Sequence, residues 1–334
     1  MRILVLHSDV PPDAPADELD TLIAARAIAD ALQDRGHQPA LSSFVFDFDR
    51  TRAAIAEHRP DVVFNMVEAV FRHGELALIA PAMLEKLNVT YTGSGATALA
   101  TAGDKPLAKQ FMRLAGLPTP DWDEAPFARL GRDNRYVVKS ATEDASLGLD
   151  ESCVVRGPEA VRTQAASLRR THGGRWFAEE YIHGREFNVS ILEDQEQPRV
   201  LPIPEMIFEG WAPERPRIVG YDAKWDDDSP DSVGTVRRFG GENEDPALYA
   251  RLTELSQAAW RLFGLRGFAR VDFRVGDNGE PVILEINPNP CLEESAGFAA
   301  AAGQAGMSYP DIIERIVLAA RTTTHGDPIR GASQ

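Results

Sequence analysis

The sequence predicts an α/β chain that opens on a parallel layer and closes in an α+β part, and three observations predict it. Over roughly the first ninety residues, apolar strand-like runs alternate with helical patterns, the signature of parallel strands joined by crossover helices. Beyond residue 177 strand patterns dominate, interrupted by one long helical stretch at Pro246–Phe263 and a closing one near Tyr309–Arg321. The length, 334 residues with 43% hydrophobic and 26% charged side chains, suits a soluble globular protein of two or three modest domains.

Taken in order, "ILVLH" is a first strand, followed by a helix over about Glu18–Arg35 and a second strand in "ALSSFVF". A short helix near Arg52–His58, the strand "DVVFNM", a helix near Glu75–Leu87 and a strand in "VTYTG" complete the layer. The first strand is followed by "HSDVPPDAPADE" rather than a glycine-rich turn, which argues against a Rossmann dinucleotide site. Asp104 caps a helix running to Gly116, stopped by "LPTP". Strand-like "RYVVKS", the loop "ATEDASLGLDES", a strand near Cys153–Val155, a helix near Glu159–Arg170 and "RWFAEEYI" follow. Ile207–Phe239, crowded with Pro, Gly and Asp, reads as one long loop, and loops of that length are functional or disordered. These patterns divide the chain into units at 1–98, 99–177 and 178–321, with a disordered polar tail at 322–334.

The net charge of −16 argues against nucleic-acid or anionic-membrane partners, which need clustered Lys and Arg. No apolar run is long enough to span a bilayer. Two cysteines, Cys153 and Cys291, make no disulfide framework, so a cytoplasmic setting is expected. A small anionic ligand remains compatible with the charge, because a few lysines at one site outweigh the net balance locally.

Candidate chemistry gathers in a few stretches. "GDKPLAK" offers Lys105 at a helix start, "YVVKS" offers Lys139 at a strand end, and "EDASLG" is a small-residue loop in which Ser146 and backbone N–H groups can cover phosphates. "AEEYIHGREF" offers Glu179, Glu180 and Glu186 for nucleoside hydrogen bonds; taken singly, each of these residues has an ordinary solvated reading. In "RGFARVDFRV" the strand period of two puts Arg270 and Asp272 on one face, and the same rule pairs Glu285 with Asn287 in "ILEINPNP". Two neighbouring strands thus converge two carboxylates and an amide, all-oxygen donors suited to Mg²⁺. The plain alternative is a cross-strand salt bridge with Arg270, which sets three acceptors against one cation and leaves charge uncompensated.

In order and spacing, "VTYTGSGATALATAGDKPLAKQFMRLAGLPTP", "VVKSATEDASLG", "FAEEYIHGREFNV", "YDAKW", "RGFARVDFRV" and "ILEINPNPCL", with "AAAAGQAGMSYPDIIERI", resemble the D-alanine–D-alanine ligases of the ATP-grasp superfamily over about residues 60–320. The resemblance implies a three-domain ATP-grasp fold with ATP held between the second and third domains. It implies a carboxylate attacking the γ-phosphate and an amine capturing the acyl phosphate. It further implies phosphate contacts from Lys105, Lys139, Lys224 and Ser146, and adenine and ribose contacts from Glu179, Glu180, Ile182 and Glu186. Two Mg²⁺ ions, with Mn²⁺ as an alternative, would be held by Asp272, Glu285 and Asn287. Arg270 and the backbone N–H of Cys291, where the family has glycine, would stabilise the tetrahedral oxyanion. A homodimer through the first domain is implied as well.

The departures lie in the amino-acid half. "DVPPDAPADELD" replaces the family's glycine-rich N-terminal turn and its glutamate, leaving Asp17, Glu18 and Asp20 as acidic substitutes. Ala145 stands at the family's lid serine, Trp225 follows Lys224 where the family has tyrosine, "EESAGF" blurs the pair for the terminal carboxylate, and "NMVEAVFRHGE" replaces the histidine–glycine loop. The expectation is an ATP-dependent carboxylate–amine ligase acting on small amino-acid-like molecules that are not both D-alanine. A genuine D-alanine–D-alanine ligase with an unusual pocket is the second reading, and a nucleotide-binding pseudo-enzyme the third. Cys291 reads as a backbone donor rather than a nucleophile, Cys153 as packing, and His7 as a solvated or capped side chain rather than a substrate contact.

Overall fold

A computed structural model of the chain describes residues 1–322 apart from Pro12, Asp13, Pro15, Asp144, Ala145 and Asp227. Three sheets organise it. The first is parallel, in the order β2-β1-β3, built from β1 (Arg2–Ser8), β2 (Gln38–Phe44) and β3 (Val62–Met66). Helices α1 (Ala16–Asp34), α2 (Phe48–His58) and α3 (Ile79–Lys86) complete the layer. Asp47 caps α2, its carboxylate accepting the Arg50 N–H. The strand expected in "VTYTG" is a single bridge, Val63 to Tyr91. The chain turns away there because Gly93, at φ +83°, packs its backbone against Gly267, where an added Cβ would sit 3.0 Å from the Gly93 nitrogen. The helix expected at Glu75–Leu87 is split into a 3₁₀ turn at Gly74–Leu76 and α3. Pro81 explains the break, since a proline is tolerated in a helix's first turn and not in its interior.

Helices α4 (Ala96–Gly103) and α5 (Lys105–Leu114) lead into an antiparallel sheet of order β4-β7-β5-β6. Its strands are β4 (Trp122–Glu124), β5 (Arg135–Ser140), β6 (Val154–Arg156) and β7 (Trp176–Glu180), backed by α6 (Gly157–His172). Cys153, fully buried, packs in its core with Tyr136, Val138 and Trp176. Strand β7 runs across residue 177, so the sheet of the unit expected at 99–177 extends to Glu180.

The third sheet runs β11-β10-β8-β12-β13, with β9 paired to β8. It comprises β8 (Arg185–Asp194), β9 (Gln197–Val200), β10 (Glu205–Phe208), β11 (Thr235–Arg238), β12 (Phe268–Val275) and β13 (Pro281–Asn287). Ile207–Phe239 is therefore not one loop. It carries α7 (Tyr221–Trp225) and α8 (Pro230–Val233) and returns as β11, whose Val236 pairs with Ile207. Ser229 caps α8 and Pro230 opens it, a start signal hidden among the loop-forming residues. Helix α9 (Pro246–Phe263) buries Leu248, Leu252, Leu255, Ala259 and Phe263 against β8, β12 and β13. Truncating the fully buried Leu252 to alanine would cost ~2–5 kcal/mol. Helices α10 (Gly297–Gln304) and α11 (Tyr309–Thr322) share a core with α1 and the first sheet, through Ile28, Leu32, Phe298, Ile313 and Val317. The tail expected at 322–334 lies, from residue 323 onward, outside the described residues.

Candidate active site

All three sheets open onto one cleft of about 1680 Å³. Its floor is a polar stripe across β8, β12 and β13. Antiparallel register sets Asp272 opposite Asn188 on one side and Glu285 on the other, while Arg270 faces Asn287 and Arg274 faces Glu186. Directly opposed residues share a face, so period-two spacing on three strands gathers these groups. A bulge after Asp272 shifts the register, so that Phe273 pairs with Ile283. Asp272 accepts two parallel bonds from Arg270, each 2.8 Å, and one from Asn188 at 2.9 Å. The cross-strand salt bridge expected as the plain alternative is not the pair that forms: Arg270 binds Asp272 of its own strand, and Glu285 and Asn287 stand outside that pair. Asn287 accepts the Asn289 N–H at 2.9 Å, and Asn289 reaches the Val67 carbonyl of the first layer at 3.4 Å.

Buried Glu186 pairs with buried Arg274 at 2.7 Å; burial first, then Asp272, raises its pKa against the pull of Arg274. Burial raises that of Glu285 too, but Lys105, Lys139, Lys224 and Arg270 outweigh it and hold the carboxyl at about 2. An ionised carboxylate beside a second carboxylate and an amide is an all-oxygen donor set, and it fits a hard divalent cation.

Lys105 occupies the first position of α5, after the cap Asp104, and donates to the Glu143 carbonyl at 2.9 Å while lying 3.9 Å from Glu285. Lys139, near the end of β5, lies 2.6 Å from Glu179. Glu179, expected at adenine and ribose, is thus sunk between Lys139 and Lys109, the latter 2.7 Å away. Burial opposes its charge, yet the two lysines lower its pKa. Glu180 and Ile182 line the cleft beside it. Lys224, on α7, lines the cleft; crowding by the cleft walls, then Arg270, lowers its ammonium pKa against the pull of Glu285, Asp272 and Glu186.

The lid loop is held from both sides. Ser146, at φ +60°, donates to the Val219 carbonyl at 3.0 Å, and the Tyr221 N–H donates to the Leu149 carbonyl at 2.9 Å. On the other side the Gly74 N–H donates to the Glu143 carboxylate at 3.1 Å, and Thr142 donates to Glu75 at 2.8 Å. Ala145 lies outside the described residues, as do the side chains of Trp225, Asp17 and Glu18. Trp211 is an anchor: it stacks edge-on with Phe208 and lies under Arg215 at 3.9 Å.

Another part of the cleft is acidic, with Asp20, Glu68 and Glu293 gathered around Cys291, and Asp9, Arg72, His73 and Arg237 also line the cleft. Cys291 sits 3.7 Å from Asp20, and burial with Glu68, Asp20 and Glu293 pushes its thiol up to about 12. It is therefore a protonated thiol, not a thiolate nucleophile. His7 bonds its own neighbour, Nδ1 donating to the Ser8 carbonyl at 2.8 Å.

Sequence reasoning missed Lys109, Asn188 and Arg274. The signals were present: Lys109 lies four residues after Lys105 on one helix, and Asn188 and Arg274 each lie two residues from a recognised acid. Among the described residues no helix is long and apolar enough to cross a membrane.

A family model described as the D-ala D-ala ligase C-terminus matches residues 117–318. A D-alanine–D-alanine ligase of Desulforudis audaxviator is 32% identical over 309 residues, 89% of this chain and 92% of that protein. One from Moorella thermoacetica is 29% identical, covering 95% and 98%, and an uncharacterized protein of Sinorhizobium fredii is 32% identical, covering 92% and 90%. Among solved structures, the D-alanine–D-alanine ligase of Bacillus anthracis complexed with ATP superposes with a TM-score of 0.74 at 20% identity, covering 96% of this chain and 97% of that one, a likeness of fold.

Proposed function

The chain belongs to the D-alanine–D-alanine ligase family of ATP-grasp, ADP-forming ligases, and on that premise we propose that it joins a small carboxylate to an amine other than as two D-alanines. The observation that carries the chemistry is the stripe of Arg270, Asp272, Glu285 and Asn287 facing Lys105, Lys139 and Lys224 across one cleft. In this reading Lys105, Lys139 and Lys224 take the phosphates beneath the Ser146 loop, and Glu180, Ile182 and Glu186 serve adenine and ribose. Glu179 acts through the lysines it already holds. Asp272, Glu285 and Asn287 would hold two Mg²⁺ ions, or Mn²⁺. Divalent ions bound there supply charge neutralisation for phosphoryl transfer.

The acyl donor's carboxylate oxygen attacks the γ-phosphorus, the bond to ADP breaks, and an acyl phosphate forms. The amine then attacks the carbonyl carbon, and phosphate departs from the tetrahedral intermediate. Arg270 and the Cys291 N–H stabilise the oxyanion, a contribution of ~3 kcal/mol for a donor of this kind. The lid loop and the segment carrying α7 exclude water from the acyl phosphate. Units at 1–98, 99–177 and 178–321 and a homodimer through the first belong to the same reading, and light scattering checks the latter.

The substrate claim rests on the amino-acid end. Asp20, Glu68, Cys291 and Glu293 line it, and the family's N-terminal glutamate turn is replaced. The names of the relatives favour the second reading, a genuine D-alanine–D-alanine ligase. ADP release, screened over pairs and single amino acids and small carboxylates, decides between them. D-Alanine alone should support little turnover while another pair supports much more. Robust D-alanyl-D-alanine synthesis at ordinary concentrations overturns the proposal.

A further inference from the structure

Lys109 has no place in the chemistry described so far, yet it is fully buried, the environment least hospitable to a lysine. Its ammonium meets two groups. Glu179 Oε2 lies 2.7 Å away, and Thr119 Oγ1 accepts a hydrogen bond at 2.9 Å. The Thr119 hydroxyl in turn donates to the Ile283 carbonyl of β13 at 2.8 Å, two residues from Glu285. The other oxygen of Glu179 holds Lys139 at 2.6 Å. One lysine on α5 therefore ties three elements together: its own helix, which also carries Lys105, the strand β7 that bears Glu179, and the strand that ends at the oxygen-donor cluster.

Charge counting gives the arrangement its purpose. Lys139 and Glu179 alone would form a neutral pair, and such a pair has no net attraction for a polyphosphate. With Lys109 on the second oxygen, two ammonium groups share one carboxylate and the cluster carries a net charge of +1. The added charge sits where water cannot screen it, while Lys139, the partly accessible member, faces the cleft. We propose that Lys109 is a positioning residue for nucleotide binding: through Glu179 it fixes the Lys139 ammonium and leaves that ammonium's charge available to the phosphates.

The inference rests on the assignment of Lys139 to the phosphates, and the experiment separates the two. Binding of the non-hydrolysable analogue AMPPNP with Mg²⁺ is measured by calorimetry for wild type, Lys139→Met, Lys109→Met and the double variant Lys109→Met/Glu179→Gln, alongside unfolding midpoints without nucleotide. Lys109→Met should weaken binding about tenfold, the size of one close charge contact. The KM for ATP should rise in parallel, while the KM for the amino-acid substrates stays within about twofold. The double variant removes the carboxylate that the lone lysine would neutralise, so binding should recover to within about threefold of wild type. A merely structural lysine gives no such recovery. If Lys139→Met binds AMPPNP like wild type, the phosphate assignment fails. If Lys139→Met is weak but Lys109→Met is not, the present inference alone fails. Should Lys109→Met not fold, the double variant decides, and binding as weak as that of Lys139→Met overturns the proposal.

Discussion

Glu285 shows how the cleft treats a single carboxylate: burial would neutralise it, and four neighbouring cations keep it ionised at about 2. In the proposed reading, removing that charge, or the one on Asp272, deprives the transferred phosphate's counter-ions of a ligand. Asp272→Asn and Glu285→Gln should each lower kcat at least about a hundredfold, with unfolding midpoints little changed. Near-wild-type turnover in either variant ends the assignment. Lys109 supplies a pH test. Burial first, then Lys139, lowers its ammonium pKa to about 8, against Glu179 and Glu285; Thr119 is the neutral group on it. A lysine titrating lower folded than unfolded makes the protein more stable as pH rises from about 8 to 10.5, because the unfolded chain then holds the extra proton. Nucleotide affinity moves the other way, since the charge Lys109 lends is lost as pH rises through about 8. AMPPNP affinity should therefore fall more steeply between about pH 7 and 9 in wild type than in Lys109→Met, where only the lowered Lys224 ammonium still adds its own loss of charge. Parallel profiles for the two proteins would refute this.

At the scale of elements, the lid loop is clasped between the first layer and the segment before α7. Gly220 sets the closest approach, for a Cβ there would lie 2.7 Å from the Leu149 carbonyl oxygen. Backbone cannot yield cheaply at that distance, so Gly220→Ala should push the two apart. We expect kcat to fall about tenfold through misplacement of Ser146 and Lys224, and protease to cut Ile207–Phe239 faster even with nucleotide and substrate present. Equal cleavage of variant and wild type would mean the clasp does not govern closure. This clasp was illegible in the sequence. The glycines and prolines of 207–239 announced a loop, and only the fold reveals that Pro230 starts a helix and that Thr235–Arg238 pairs as a strand. Strong periodicity fared better: the alternation in "FARVDFRV" and "ILEIN" placed Arg270, Asp272, Glu285 and Asn287 on one stripe without knowledge of the register. Spacing put Lys109 on the helix of Lys105 and Asn188 two residues from Glu186, but what each does depends on a partner far away in sequence, Glu179 for one and Asp272 for the other.

Across the whole molecule the cleft divides its work by layer. The lysines come from the middle sheet, α5 and α7, the acidic stripe from the third sheet, and the far end from α1, the loop after β3 and the loop after β13. That division follows from the chain order of the sheets, which the sequence disclosed, and it explains why the motif-bearing half was easier to read than the other. Nucleotide chemistry demands charges at fixed strand positions. In the proposed reading, substrate choice depends on how Asp20, Glu68, Cys291 and Glu293 converge from three distant segments. The net charge of −16 is no obstacle to ATP, since Lys105, Lys139 and Lys224 gather in one cleft. If the layers act separately, a change in the first should alter one substrate and not the other. Asp20, on α1, is half-buried beside Cys291, and burial followed by Glu293 raises its pKa. A carboxylate kept in such company despite that cost is suited to an ammonium group, which would relieve the repulsion. With whichever pair supports turnover in the ADP-release screen, Asp20→Asn should raise the KM of the amine-bearing substrate about tenfold, the loss of one charge-assisted bond. The KM for ATP should be unchanged, because no nucleotide group is assigned to the first layer. A rise in both constants would show that Asp20 shapes the cleft as a whole, and a rise in neither would remove it from substrate recognition.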